Sequence, residues 1–202
     1  MRSHSSRKPI LFATLAGAVA LAAVSSAGVA AAKDGLGSTT YTADLRSLTG
    51  SAARGQAELR LAGNGKTLLV HITASGLEAG GEHMSHIHGL SSGGQAVNST
   101  CPTQAQDSDR DGFVELAEGQ VTYGPILIDF MNIDPNKDGK IDFRTTVKLS
   151  GNEGATPLAD RHIVIHGMSV GAVGAGTPGE VDGTAGYKTL LPVLCGEIQP
   201  SR

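Results

Sequence analysis

Tryptophan is absent from this chain, and three Tyr and four Phe are the only aromatic residues among its 202. A core must therefore be built mostly from Val, Ile, Leu and Ala. No cluster of Lys or Arg occurs, so the electrostatic footprint of a nucleic-acid binder is missing and no such partner is expected. After residue 32 there is no second long apolar run, which leaves no candidate for a further membrane span. No segment keeps a 3.6-residue hydrophobic period, so a helical bundle is excluded.

The chain opens on a pattern typical of export. Arg2, Arg7 and Lys8 are followed by an uncharged stretch carrying Leu11, Phe12, Leu15, Val19, Leu21 and Val24, and then by Ala30-Ala31-Ala32. A positive start, an apolar centre and small residues at the end are the three parts of a cleavable signal peptide. An uncleaved anchor is the alternative, but the run is Ala- and Gly-rich and ends in small residues. Residues 1–32 are therefore read as the signal and 33–202 as one domain, secreted or held in a periplasm or cell wall. Once Arg2, Arg7 and Lys8 are removed, 13 basic residues face 19 acidic ones, a net charge near −6. Cys101 and Cys195 are the only cysteines. In an oxidising compartment two thiols usually pair, and two free thiols is the alternative.

Glycine is abundant, with 28 residues, which favours turns and short strands. Residues 41–48 alternate weakly. Residues 55–62 place Ala57, Leu59 and Leu61 on one face, and residues 66–74 return with Leu68, Val70 and Ile72. Between them Gly63-Asn64-Gly65 supplies a hairpin turn that tolerates positive φ. Further strands are expected at 126–130, 143–149, 162–166 and 190–198, with a long small-residue loop over 169–186. Short strands separated by turns indicate an all-β antiparallel sandwich or barrel.

Asp107, Asp109, Asp111, Gly112, Phe113, Glu115 and Glu118 fill the twelve-position pattern of an EF-hand calcium loop. The three Asp place hard oxygens round one centre, Gly112 permits the sharp turn, Phe113 offers its backbone carbonyl, Glu115 acts directly or through water, and Glu118 closes the site with two oxygens. The flanks are poor helix material, with Cys101-Pro102 before the loop and room for one turn before Gly119 after it. This suggests an isolated calcium loop in a β-protein, with an acidic surface turn as the alternative. Asp134, Asn136, Asp138, Gly139, Lys140 and Asp142 form a weaker second copy whose twelfth position is Thr145. It is either a weak site or a tight turn. Val114 and Ile141 share the eighth position, where paired loops form a short two-stranded contact.

His86 and His88 are two residues apart, so on a strand both face one side with Cα atoms roughly 6.6 Å apart. His162 and His166 also share a face, but roughly 13 Å separates them, so only one is expected to join the same centre. Imidazole clusters suit copper or zinc. Hydrogen-bonded structural histidines are the alternative.

The stretch Gly76-Leu77, His83, His86-Ile87-His88-Gly89 resembles the first metal strand of the copper/zinc superoxide dismutases, with Cys101 following as a cysteine does in that family. Arg161-His162-Ile163-Val164-Ile165-His166 and Cys195-Gly196-Glu197-Ile198 resemble its later motifs in the same order. The resemblance implies an antiparallel Greek-key β-sandwich, copper ligation by His86, His88 and His166, His83 behind the ligands rather than on the metal, and a Cys101–Cys195 disulfide. The sequence departs from that family in two ways. No His lies between His88 and His162, so the bridging and zinc ligands are missing. Pro192 stands where the family has its active-site Arg, leaving Lys188 as a loose substitute. The His-Ile-His-Gly stretch and the closing Gly-Glu-Ile also resemble chordin-type (CHRD) domains, which are not known as enzymes.

The expected protein is thus a secreted metal-binding β-sandwich with an irregular calcium-loop insertion over 103–145, taking Ca²⁺ first and copper second. The alternatives are a copper-only superoxide dismutase, and an extracellular adhesive module that calcium merely stiffens.

Overall fold

The computed structural model describes residues 37–171 and 180–201. The expected signal peptide at 1–32 lies outside them. Among the described residues no helix is long and apolar enough to cross a membrane. The strands are β1 (Thr39–Ser47), β2 (Arg54–Leu61), β3 (Thr67–Ser75), β4 (Met84–His88), β5 (Leu90–Ser92), β6 (Gln95–Val97), β7 (Ile126–Asn132), β8 (Ile141–Lys148), β9 (His162–Val170), β10 (Gly186–Glu197) and β11 (Gln199–Pro200). One α-helix, α1 (Leu116–Tyr123), interrupts them.

The fold is all-β. One sheet runs in the order β7-β4-β9-β10-β1-β2-β3-β8, with β11 added against β1, and β5 and β6 form a separate ribbon. Every pairing is antiparallel. The sheet curls, so that its end strands β7 and β8 line one common groove. Inside the curl lies the core, built from Ala43, Leu45, Ala57, Leu59, Leu68, Val70, Ile72, Ile87, Ile163 and Ile165 among others. As expected from composition, aliphatic side chains fill most of it.

The β2–β3 hairpin shows how sequence sets register. Leu59 pairs with Val70 and Ala57 with Ile72. A period of two puts those four residues on the buried face and Glu58 and His71 on the other. The turn closes with Gly65 at φ +66° and with the Asn64 side chain accepting from the Lys66 amide at 2.9 Å.

The structure corrects three local expectations. Helix α1 runs through Gly119 for eight residues rather than one turn. Its start is held by a capping box between Glu115 and Glu118, and Tyr123 packs so tightly over Gly119 that a Cβ there would lie 2.4 Å from its ring. The packing of Tyr123 offsets the poor helix propensity of glycine. Second, β9 and β10 extend into the stretch read as a loop, reaching Val170 and starting at Gly186; residues 172–179 are not described. Third, Val114 and Ile141 do not pair. Ile141 is taken by Ala74 of β3, so the two acidic loops do not form one unit.

Candidate metal centres

Strand β4 sits between β7 and β9, and all five of its residues are shielded from solvent at least in part. His86 and His88 lie on the same face of it, and β9 brings His166 beside them. Each of the three offers an imidazole nitrogen, all within 4.8 Å of one another, and all three rings are buried. Ring centroids are separated by 4.8 Å (His86–His166), 5.5 Å (His86–His88) and 5.9 Å (His88–His166).

Backbone carbonyls fix which nitrogens carry protons. His88 Nδ1 lies 2.9 Å from the Gly124 carbonyl and His166 Nδ1 lies 2.7 Å from the Leu190 carbonyl. A carbonyl only accepts, so each Nδ1 must donate and each Nε2 is left with its lone pair. The Nε2 of His88 is buried with no hydrogen-bond partner, and that of His166 lies 3.0 Å from His86 Nδ1. On its other side His86 Nε2 faces the Asp129 carboxylate at 3.4 Å. Without a metal, His86 Nδ1 donates to His166 Nε2; were Nδ1 to ligate a metal instead, the ring proton would sit on Nε2 and donate to Asp129, the arrangement by which carboxylates orient ligating histidines.

Burial holds these rings neutral. It lowers the pKa of His166 to about 3 and that of His88 to about 4, and the neighbouring imidazoles add to the effect. His86 is also lowered by burial, partly countered by Asp129. Neutral, desolvated imidazoles with lone pairs on one centre are the donor set that copper or zinc takes.

His162 faces His88 directly across β4 and β9 but stays outside the trio. Ser99 Oγ donates to the Asp160 carbonyl at 2.8 Å and so accepts from His162 Nδ1 at 3.0 Å. His83 bridges the Glu78 and His166 carbonyls through its two ring nitrogens, which places it against the backbone of His166.

The first acidic loop folds as its spacing demands. Gly112 has φ +97°, and the Asp107 carboxylate accepts from the amides of Arg110, Asp111 and Gly112. Carboxylate oxygens of Asp107, Asp109 and Glu118 form one close group and those of Asp109, Asp111 and Glu115 a second. All five expected carboxylates are thus together, round Asp109. Glu118 Oε1 accepts from the Ser108 amide and hydroxyl at 2.6 and 2.7 Å. Asp111 Oδ2 is buried without a partner. Burial raises the pKa of Asp111, with the charges of Asp109, Asp107 and Glu118 adding to it. Glu115, 2% exposed, is raised by burial and then by Glu180, Asp111 and Asp109, while the Val181 amide opposes the shift. Such crowding is relieved by a divalent cation. Phe113, expected to lend its carbonyl, packs its ring against Val170, Val181 and Leu191.

The second loop does not gather its residues in this way. Asp134 is fully buried and accepts from the Gly139 amide at 2.9 Å, and Asp138 accepts from the Lys140 amide. Asp142 is drawn off into β8, where it meets His71 at 2.8 Å. Its exposed neighbours Asn136 and Lys140 join no carboxylate group, and the segment forms a tight turn docked on residues 77–80 through the Lys137 and Gly139 carbonyls.

No protein-family model matches the chain, and no curated protein matches it. The chemistry therefore has to be read from the two clusters themselves.

Sequence reasoning missed Asp129, the carbonyls of Gly124 and Leu190, and Tyr123, whose ring packs edge-on against His88 at 4.6 Å. Gly124 carried the only signal, as a glycine just past a helix end. It has φ +81°, and a Cβ there would lie 2.3 Å from the Gly89 carbonyl oxygen. Gly124→Ala must move the carbonyl that orients His88. Transition-metal affinity is expected to fall by about 10–100-fold, as for other changes that disturb a ligand's supporting contact; competition titration against a chelator measures it.

Proposed function

We propose that this is a secreted metal-binding protein of β-sandwich-like fold. On this reading it takes a copper ion at His86, His88 and His166 and Ca²⁺ at Asp107, Asp109, Asp111, Phe113, Glu115 and Glu118. The observation that carries it is the imidazole trio, with two tautomers fixed by backbone carbonyls so that lone pairs meet on one centre. Zinc satisfies the same donor set, and copper is preferred because the motif order resembles the superoxide dismutase and CHRD-like sandwiches. Calcium is supported by the complete loop spacing and the orphaned Asp111 Oδ2. Secretion is supported by the export pattern of residues 1–32 and by the Cys101–Cys195 disulfide, which suits an oxidising compartment.

The enzyme reading is weaker. Superoxide is an anion, and its capture is speeded by a cationic approach. Pro192, at the position of the family's Arg, lies directly opposite His166 in the β9–β10 register. Lys188 is held 2.8 Å from Asp182, and Asp129 adds negative charge beside His86.

Metal analysis of protein purified from an oxidising compartment tests the reading. One copper or zinc per chain is expected, reduced to none in His166→Ala. Calcium should bind with Kd on the order of 10⁻⁴–10⁻³ M, the range of extracellular modules, and more weakly in Glu118→Gln, which loses a bidentate ligand. Identical calcium titrations of wild type and Glu118→Gln would rule out the loop. Fast superoxide decay by the copper-loaded protein, lost in His88→Ala, would favour the enzyme.

A further inference from the structure

The two clusters share one short helix. We infer that the acidic loop and the imidazole trio are energetically coupled through α1, so that calcium regulates the transition-metal centre by raising its affinity. This inference rests on both sites of the proposed function and adds a relation between them.

Helix α1 has eight residues. Isolated helices below roughly 12–15 residues are marginal in water, so its placement depends on what grips its ends. The grip at the first end is the acidic loop. Glu115 is the N-cap and Glu118 lies in the first turn, and these are the ninth and twelfth positions of the loop pattern. Glu115 also accepts from the Val181 amide at 2.6 Å, and the Leu116 amide donates to Glu180 at 3.0 Å. At this end Asp111 Oδ2 is the buried, unpartnered oxygen.

The grip at the other end is His88. Tyr123, the last helical residue, packs on its ring, and Gly124, the C-cap, accepts its Nδ1–H. That hydrogen bond sets the tautomer which leaves His88 Nε2 free. His88 is 1% exposed and its Nε2 is unpartnered, and the hydrogen bond that sets its tautomer comes from the end of α1.

The two ends are tied to each other. The Tyr123 hydroxyl donates to the Leu116 carbonyl at 3.1 Å. The side chain that touches His88 is therefore bonded to the first residue of the helix, seven residues back and about 10 Å away along the axis at the usual rise per residue. A cation that fixes the Glu115 and Glu118 carboxylates fixes the helix start, and through Tyr123 and Gly124 it orients His88. Binding linkage is reciprocal, so copper must raise calcium affinity by the same factor.

The test uses the full chain. Cu(II) affinity is measured by chelator competition with and without saturating CaCl₂, against NaCl at matched ionic strength, and calcium affinity is measured with and without bound copper. Each cation is first titrated alone, so a missing site is recognised as failure of the metal-binding reading, which ends the coupling with it. The expected result is a gain of about fivefold or more, equal in both directions, and a smaller factor in Tyr123→Phe, which keeps the ring and removes the hydrogen bond. A factor of one with both cations bound overturns the coupling. An undiminished factor in Tyr123→Phe overturns the route through α1.

Discussion

Metal-free protein is expected to lose a large part of its stability between pH 6.5 and about pH 5. Burial is the leading cause in each of three histidines: the pKa of His88 falls to about 4, that of His162 to about 4 and that of His166 to about 3, from 6.5. These groups bind protons more weakly when folded than when unfolded. The sign follows from that difference. Their neutral, buried state is undisturbed above pH 6.5, and stability falls as pH drops through the window towards 4, because the unfolded chain takes up protons that the folded chain refuses. At about pH 5 each histidine contributes about 2 kcal/mol of destabilisation. The three act in the same direction, so their combined loss is a sizeable part of the roughly 5–15 kcal/mol that stabilises an ordinary domain. Asp111 and Glu115 act the other way, since their raised pKa values favour the folded state in acid. Urea titrations of chelator-treated protein across this range provide the measurement, and equal stability at both ends would show that the imidazoles are not buried neutral. Bound copper or zinc should move the loss to lower pH, because protons must then displace the ion.

That cluster was partly legible in the sequence. Parity on a strand is enough to put His86 and His88 on one face, and a strand needs only a run such as Ser85-His86-Ile87-His88 to be recognised. The hairpin of β2 and β3 was legible for the same reason: one face is buried, so a one-residue slip would expose Leu59, Val70 and Ile72 together. The supporting contacts of the trio carried no such signal. Asp129 reaches His86 because β7 pairs with β4 through a register shift, and no local pattern encodes a shifted register. The tautomers are set by the Gly124 and Leu190 carbonyls, which are remote in sequence from the rings they hold.

The acidic loops show the same division. The spacing from Asp107 to Glu118 is local chemistry, and the chain gathers all five carboxylates as that spacing implies. In the second loop the spacing competes with the sheet. Asp142 stands opposite Thr73 in β8 and meets His71, so a residue counted as the ninth position belongs to a strand. Helix α1 was underestimated because its stability is tertiary. Gly119 argues against a helix until Tyr123 is seen covering it.

The second large expected effect concerns the Cys101–Cys195 disulfide, which joins residues 94 apart with Cα atoms separated by 5.8 Å. Closing a loop of about 100 residues restricts the unfolded chain by about 4.7 kcal/mol in the entropic account, and removal of a native bridge from a small secreted domain typically costs about 2–5 kcal/mol. Cys101→Ala with Cys195→Ala should therefore lower the urea midpoint by an amount comparable with the acid effect. Here the loss has a direction as well as a size. Cys195 lies on β10 between Arg46 of β1 and Val164 of β9, deep in the sheet. Cys101 begins the segment that carries the acidic loop and α1, and the bridge packs in one apolar cluster with Tyr123, Val164 and Leu116. The remaining ties of that segment near the bridge are polar and few: Ser99 to Asp160 and His162, the Thr100 amide to the Thr122 carbonyl, and the Gln104 side chain donating to the Leu48 carbonyl. Losing the bridge should thus loosen α1 before it loosens the sheet, and copper affinity should fall along with stability because His88 is aimed from the end of that helix. Reduced and oxidised wild type with the same urea midpoint would refute the stabilising role. An unchanged copper affinity beside a lowered midpoint would show that α1 is held by its own packing on Val164 and His88, with the bridge acting only on the unfolded chain.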